Sequence, residues 1–184
     1  MTAAPGEPFP SEAAMRVPVR AWLEARGYRV HADPDGTDYF DLVARRGSEI
    51  GVIELKRAAA TEALGQALRR RRWASWVAVA LARRGAAARL AAATGPHRAA
   101  FVGVWHVRPE GVEVLREARP VPSAQEGGGA EREVLVRWLD ALDAGTIPSG
   151  TVWSGLHRTI GRLSGGRRYR EWSLEELDGG PPTR

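Results

Sequence analysis

The stretch YFDLVARRGSEIGVIELK, residues 39–56, decides how the chain folds. Two strand-like runs, Tyr39 to Arg46 and Ile50 to Lys56, flank Gly47-Ser48, and a two-residue turn with glycine first signals a type II′ hairpin. With Gly47 and Ser48 at the tip, position 46 faces 49, and counting outward sets Asp41 opposite Glu54. Side chains alternate along a strand, so Asp41, Glu54 and Lys56 are expected on one face, with Phe40, Leu42, Ile53 and Leu55 turned into the core. A slipped register would offer Asp38 in place of Asp41, but its offset of three residues sends it to the opposite face.

Opposed positions on a hairpin bring Cβ atoms to about 4.5–5.5 Å, where two carboxylates repel unless a cation compensates them. Mg²⁺ takes oxygen ligands in octahedral geometry and keeps several waters. Asp41, Glu54, the Leu55 strand carbonyl and a substrate phosphate would supply that set, and Mn²⁺ suits the same oxygens. Lys56, on the same face, would orient a nucleophile or stabilise a developing anion, so phosphodiester hydrolysis is the reaction class indicated. Carboxylates and a lysine on an exposed strand face also occur with no role beyond solvation.

Outward from the hairpin, Ser11 followed by Glu12, Met15, Val19, Trp22 and Leu23 reads as an N-capped amphipathic helix ending at Gly27, with Pro18 marking a kink or the first turn. Tyr28 to Ala32 alternates as a strand, and residues 33–36 carry turn chemistry. Beyond Lys56, Thr61 to about Trp73 is helical, Trp76 to Leu81 suits a buried strand, and Arg83 to Thr94 is an Ala-rich helix. Ala99 to Val107 and Val112 to Arg116 complete an order α-β-β-β-α-β-α-β-β. Residues 120–130, rich in Pro and Gly, read as a linker between a core at 10–119 and a small, mostly helical appendage at 131–184. That appendage opens with an amphipathic helix, Glu131 to Ala144, and a second helix is expected over Thr151 to Leu163. Two short helices suit either packing on the core or reading DNA.

Charge is distributed unevenly. The chain carries +5 overall, but residues 57–119 hold twelve arginines against four glutamates, a layout that suits a polyanionic partner. Arg69, Arg70 and Arg72, just past Lys56, are the best candidates for phosphate contacts, although arginines also simply solvate helix surfaces. Of 27 basic residues only Lys56 is lysine, which directs attention to the one position where a compact charge with a tunable pKa replaces a planar fork. Absence of cysteine excludes disulfides, thiolate zinc sites and a cysteine nucleophile. His31, His97, His106 and His157 show no paired ligand spacing. No apolar run reaches membrane-spanning length and residues 1–10 do not resemble a signal peptide, so a cytoplasmic location is expected.

Asp41 followed by Glu54-Leu55-Lys56 on a hairpin, with a helix behind it, resembles the restriction-endonuclease-like family, the PD-(D/E)xK nucleases, over about residues 10–82. The resemblance implies a mixed central sheet flanked by helices with an α-β-β-β-α-β core. It implies Asp41 and Glu54 as metal ligands and Lys56 as the catalytic lysine. Glu12, on the first helix, and Gln66, on the helix after the motif, match further positions that many members use. Asp41 departs from the pattern in lacking a preceding proline. The expectation is a Mg²⁺-dependent endonuclease acting on DNA, with homodimerisation reasonable if both strands are cut. Its rivals are a non-catalytic nucleic-acid-binding module, and one subunit of a larger defence, repair or transposition assembly.

Overall fold

The computed structural model describes residues 8–32, 40–93, 99–122 and 129–145. The chain divides into two compact units, Met1–Glu133 and Val134–Arg184. The first unit is an α/β structure whose six-stranded mixed sheet is flanked by helices.

Helix α1 (Glu12–Glu24) starts where the Ser11 hydroxyl accepts the Ala14 N–H at 3.2 Å, satisfying one of the donors a helix N-terminus leaves open. Met15, Val19 and Leu23, four residues apart, form its buried stripe, and Pro18 lies within the helix without ending it. Gly27, at φ +80°, turns the chain into strand β1 (Arg29–Ala32). Strands β2 (Leu42–Arg46) and β3 (Glu49–Lys56) form the expected hairpin, with Arg46 opposite Glu49 and Leu42 opposite Ile53. Gly47 has φ +59° while Ser48 does not have positive φ, as a type II′ turn requires.

Helix α2 (Ala60–Arg70), a 3₁₀ turn (Arg71–Trp73), β4 (Trp76–Leu81), α3 (Arg84–Ala93) and β5 (Gly103–Arg108) make two successive parallel crossovers. β6 (Gly111–Arg116) returns antiparallel, and the strands lie in the order β1-β2-β3-β4-β5-β6. All six residues of β4 are buried, as its unbroken apolar run implies for an internal parallel strand. One face packs Met15, Val19 and Leu23 of α1 on Leu42, Ile53, Leu55, Ala78, Ala80 and Trp105. The other face receives α2 and α3, which also touch each other.

Some boundaries differ from expectation. Residues 99–102 form a turn, so β5 begins only at Gly103. Val121, read as linker, is buried and donates its N–H to the Ser75 carbonyl at 2.9 Å, which carries the core's contacts past residue 119. Helix α4 (Gly129–Asp143) matches the first appendage helix, and Leu135 and Leu139 on it are fully buried. The turn at 33–36, Asp38, Tyr39, residues 123–128 and the second appendage helix lie outside the described residues. Among the described residues no helix is long and apolar enough to cross a membrane.

Gly51, on β3, faces Trp76 across the ladder, and a Cβ at this position would overlap the indole ring. Gly51→Ala is therefore expected to lower stability by about 1–3 kcal/mol, the cost of overpacking a rigid core group, read as a reduced urea midpoint with an unchanged slope.

Candidate active site

The hairpin and the first crossover converge at the C-terminal end of β3. Strand β2 ends its ladder at Leu42, so Asp41 is the next position opposite Glu54, set in a bend rather than in the strand. Its carboxylate turns toward the sheet, and Oδ2 accepts the Leu55 N–H at 2.7 Å, taking the donor that a further ladder carbonyl would have met. Phe40 consequently departs from the alternation expected of it. Its buried ring lies 6.0 Å from Trp73 and 5.6 Å from the Arg70 guanidinium, not with Leu42 and Leu55, because the strand has not yet begun at this point.

Glu54 is 2 % exposed in a β3 flanked on both sides by paired strands. Burial pushes its carboxyl up to about 7; the charge of Arg70 opposes that rise and the neighbouring Asp41 adds to it. Arg70 Nε lies 3.3 Å from Glu54 Oε1, close enough for an ion pair but off the hydrogen-bonding direction, so that oxygen has charge compensation without a directed donor. Asp41 is likewise raised, chiefly by burial, against the lowering effect of the Leu55 N–H and of Lys56 and Arg16.

Lys56, the last residue of β3, reaches two helices. Its Nζ donates to Glu12 Oε2 at 3.1 Å, on the first turn of α1, and lies 3.5 Å from Glu62 Oε1 on the first turn of α2. Burial alone would lower its pKa, but the hydrogen bond and charge of Glu12, with Asp41 and Glu62, outweigh burial and hold the ammonium above the ordinary lysine value. Gln66, one turn further along α2, donates to Glu62 Oε1 at 3.3 Å. Five sequence-derived residues, Glu12, Asp41, Glu54, Lys56 and Gln66, thus belong to one connected cluster.

Sequence reading missed Glu62 and the inward role of Arg70. Glu62 follows Lys56 by six residues and enters the cluster because the α2 N-terminus starts directly behind β3; its spacing alone carries no signal. Arg70, expected to contact phosphate, instead faces Glu54, since a carboxylate this deeply buried requires a cation. Arg69, whose charge also reaches Glu54, and Arg72, in the 3₁₀ turn, are half-buried rather than fully solvated. On β5 and β6, His106 Nδ1 lies 3.0 Å from Glu113 Oε2, and Arg84 grips the same carboxylate through Nε and Nη2 at 3.2 and 2.9 Å. This cross-link ties α3 to the sheet.

Leu55 occupies the phase of β3 in which N–H and C=O both face β2, so its carbonyl points toward the side where Asp41 sits. Two desolvated carboxylates and this carbonyl are the oxygen set that would hold a divalent cation. Among the described residues no group of three or more His, Asp or Glu side chains stands in metal-ligating proximity, so a backbone oxygen is needed to complete such a set.

The raised Glu54 pKa fixes a pH dependence. Below its unfolded value of 4.5 the carboxyl is protonated in both states and its contribution to stability is fully present; this is lost as pH rises through about 7, where the folded protein must ionise a buried group. Metal-free protein should therefore lose stability over this window by an amount on the order of 3 kcal/mol. In Glu54→Gln the same window should be flatter, measured by urea unfolding in EDTA at pH 5 and pH 8.

No family model matches the chain, and no curated protein is significantly similar to it. A solved structure, the SPO1766 protein of unknown function from Silicibacter pomeroyi, is similar with a TM-score of 0.49 and 18% identity over 100% of both chains.

Proposed function

We propose that this chain is a divalent-metal-dependent nuclease of the restriction-endonuclease-like, PD-(D/E)xK kind, hydrolysing phosphodiester bonds in DNA. The observation that carries this reading is the gathering of Asp41, Glu54 and Lys56 at the end of β3, with the Lys56 ammonium tethered at 3.1 Å by Glu12 from a different helix. Residues 44 positions apart would have no reason to meet there if each served only local solvation.

Asp41, Glu54 and the Leu55 carbonyl would hold Mg²⁺ or Mn²⁺. Bound there, such an ion would supply Lewis-acid stabilisation of the phosphate and would make water acidic enough to ionise near neutral pH. The protein's own part is positional and electrostatic. Lys56, held charged between Glu12 and Glu62, presents a fixed ammonium to the anion that develops on the phosphate. Gln66 restrains Glu62, and through it the lysine. Arg70 offsets the Glu54 charge when no other cation is near, keeping the buried carboxylate tolerable.

That same Arg70–Glu54 pair favours a second reading, in which Glu54 is a structural carboxylate and the domain binds nucleic acid without cutting it. Wild type and Lys56→Ala, given supercoiled plasmid and labelled single strands with Mg²⁺, Mn²⁺ or EDTA, separate the two. The nuclease reading expects metal-dependent cleavage that falls by at least about 10²-fold in the variant. Equal DNA binding by both proteins with no cleavage by either would replace it with the binding module.

A further inference from the structure

We propose that a second site, on the α1 face of the sheet, accepts a single unpaired nucleobase of the strand being cut; this rests on the nuclease reading above. A cavity of about 260 Å³ lies between the C-terminal half of α1, the tip of the β2–β3 hairpin and β6. Its walls are the indoles of Trp22, Trp76 and Trp105 and the phenol of Tyr28. Their rings support one another, with Trp22 and Trp105 at 4.9 Å, Tyr28 and Trp76 at 5.7 Å, and Trp76 and Trp105 at 5.9 Å between centroids. Such a volume falls just below the roughly 300–1,000 Å³ of sites for drug-sized ligands. It suits one flat ring system.

Two features select the ligand's chemistry. An aromatic box with carboxylates at its rim, here Glu49 and Glu117, resembles a cage for an organic cation. The protein's own cations, however, already line it. The Arg26 guanidinium lies 3.7 Å from the Trp22 ring centre and that of Arg46 lies 4.4 Å from Tyr28. A second cation would meet both charges, whereas a neutral π system attached to a phosphate would be attracted. Glu49 and Glu117 at the rim can accept from the amino groups of a base.

The rim is built to keep its shape. Tyr28 Oη donates to Glu49 Oε1 at 3.0 Å, Arg46 Nη2 pairs with Glu49 Oε2 at 3.0 Å, and Arg46 Nη1 donates to the Arg26 carbonyl at 3.2 Å. The cavity is also rigidly coupled to the acidic cluster, since α1 and the hairpin each run from one to the other. Ten residues of helix separate Glu12 from Trp22, about 15 Å, and five of strand separate Glu49 from Glu54, about 17 Å. At about 3.4 Å per stacked nucleotide this span is some five nucleotides. The captured base would lie that far from the scissile phosphate, and an unpaired or flipped base would be preferred to one held in a duplex.

Titrating the metal-free protein with dAMP or dTMP, while following tryptophan fluorescence, tests the site without using activity. Saturable quenching is expected in wild type. It should weaken at least about tenfold in Val114→Phe, which fills the cavity from half-buried β6, and severalfold in Arg26→Ala, an exposed change that decides the matter if the first variant does not fold. No saturable response to either nucleotide, or saturation by choline instead, overturns the proposal. Cleavage that persists without nucleotide binding would sink the base site alone; nucleotide binding without metal-dependent cleavage would leave this site and remove the nuclease reading.

Discussion

Two carboxylates side by side at the end of a buried strand constrain the structure around them. Glu54 is 2 % exposed and Asp41 is its register neighbour, so each is raised in pKa by burial and Glu54 further by its partner. Desolvation of a carboxylate costs several kcal/mol unless charge or hydrogen bonds compensate it. The surroundings are arranged accordingly. The Leu55 N–H is given to Asp41, Arg70 is drawn inward from α2, and Lys56 is held at the edge by Glu12 and Glu62. The contacts come from three elements, which makes the cluster a junction of α1, the hairpin and α2.

The fold makes that junction possible in a simple way. An antiparallel hairpin brings Asp41 beside Glu54, while the parallel step from β3 to β4 forces a helix to start immediately behind Lys56. α1 crosses the opposite face, with its capped N-terminus at the same end as Lys56 and its aromatic C-terminal half over the Trp76 and Trp105 rings. Gly51 keeps Trp76 in place by having no side chain of its own. The acidic cluster and the aromatic cavity are thus opposite ends of one scaffold, and the proposed functions of both depend on the same register.

Much of this was legible in the sequence because the deciding signals are local. Gly47-Ser48 sets the hairpin tip, the period of two then assigns Asp41, Glu54 and Lys56 to one end, and Ser11 marks the start of α1. What was not legible depends on tertiary direction. Phe40 leaves the strand pattern because Asp41 spends its side chain on the Leu55 N–H, and no propensity records that exchange. Arg70 sits in a run of four arginines that reads as a phosphate-contacting or solvated stripe; only the depth of Glu54 explains its turn inward. The aromatic cavity gathers its rings from α1, the residue before β1, β4 and β5, whose spacing in the chain has no common period.

If the paired carboxylates bind a divalent cation, electron paramagnetic resonance at neutral pH will detect bound Mn²⁺ directly. Wild type should show a Mn²⁺ site that Mg²⁺ competes for, with affinity at least about tenfold weaker in Asp41→Asn. Wild type and Asp41→Asn binding Mn²⁺ equally, or wild type binding none, would contradict it.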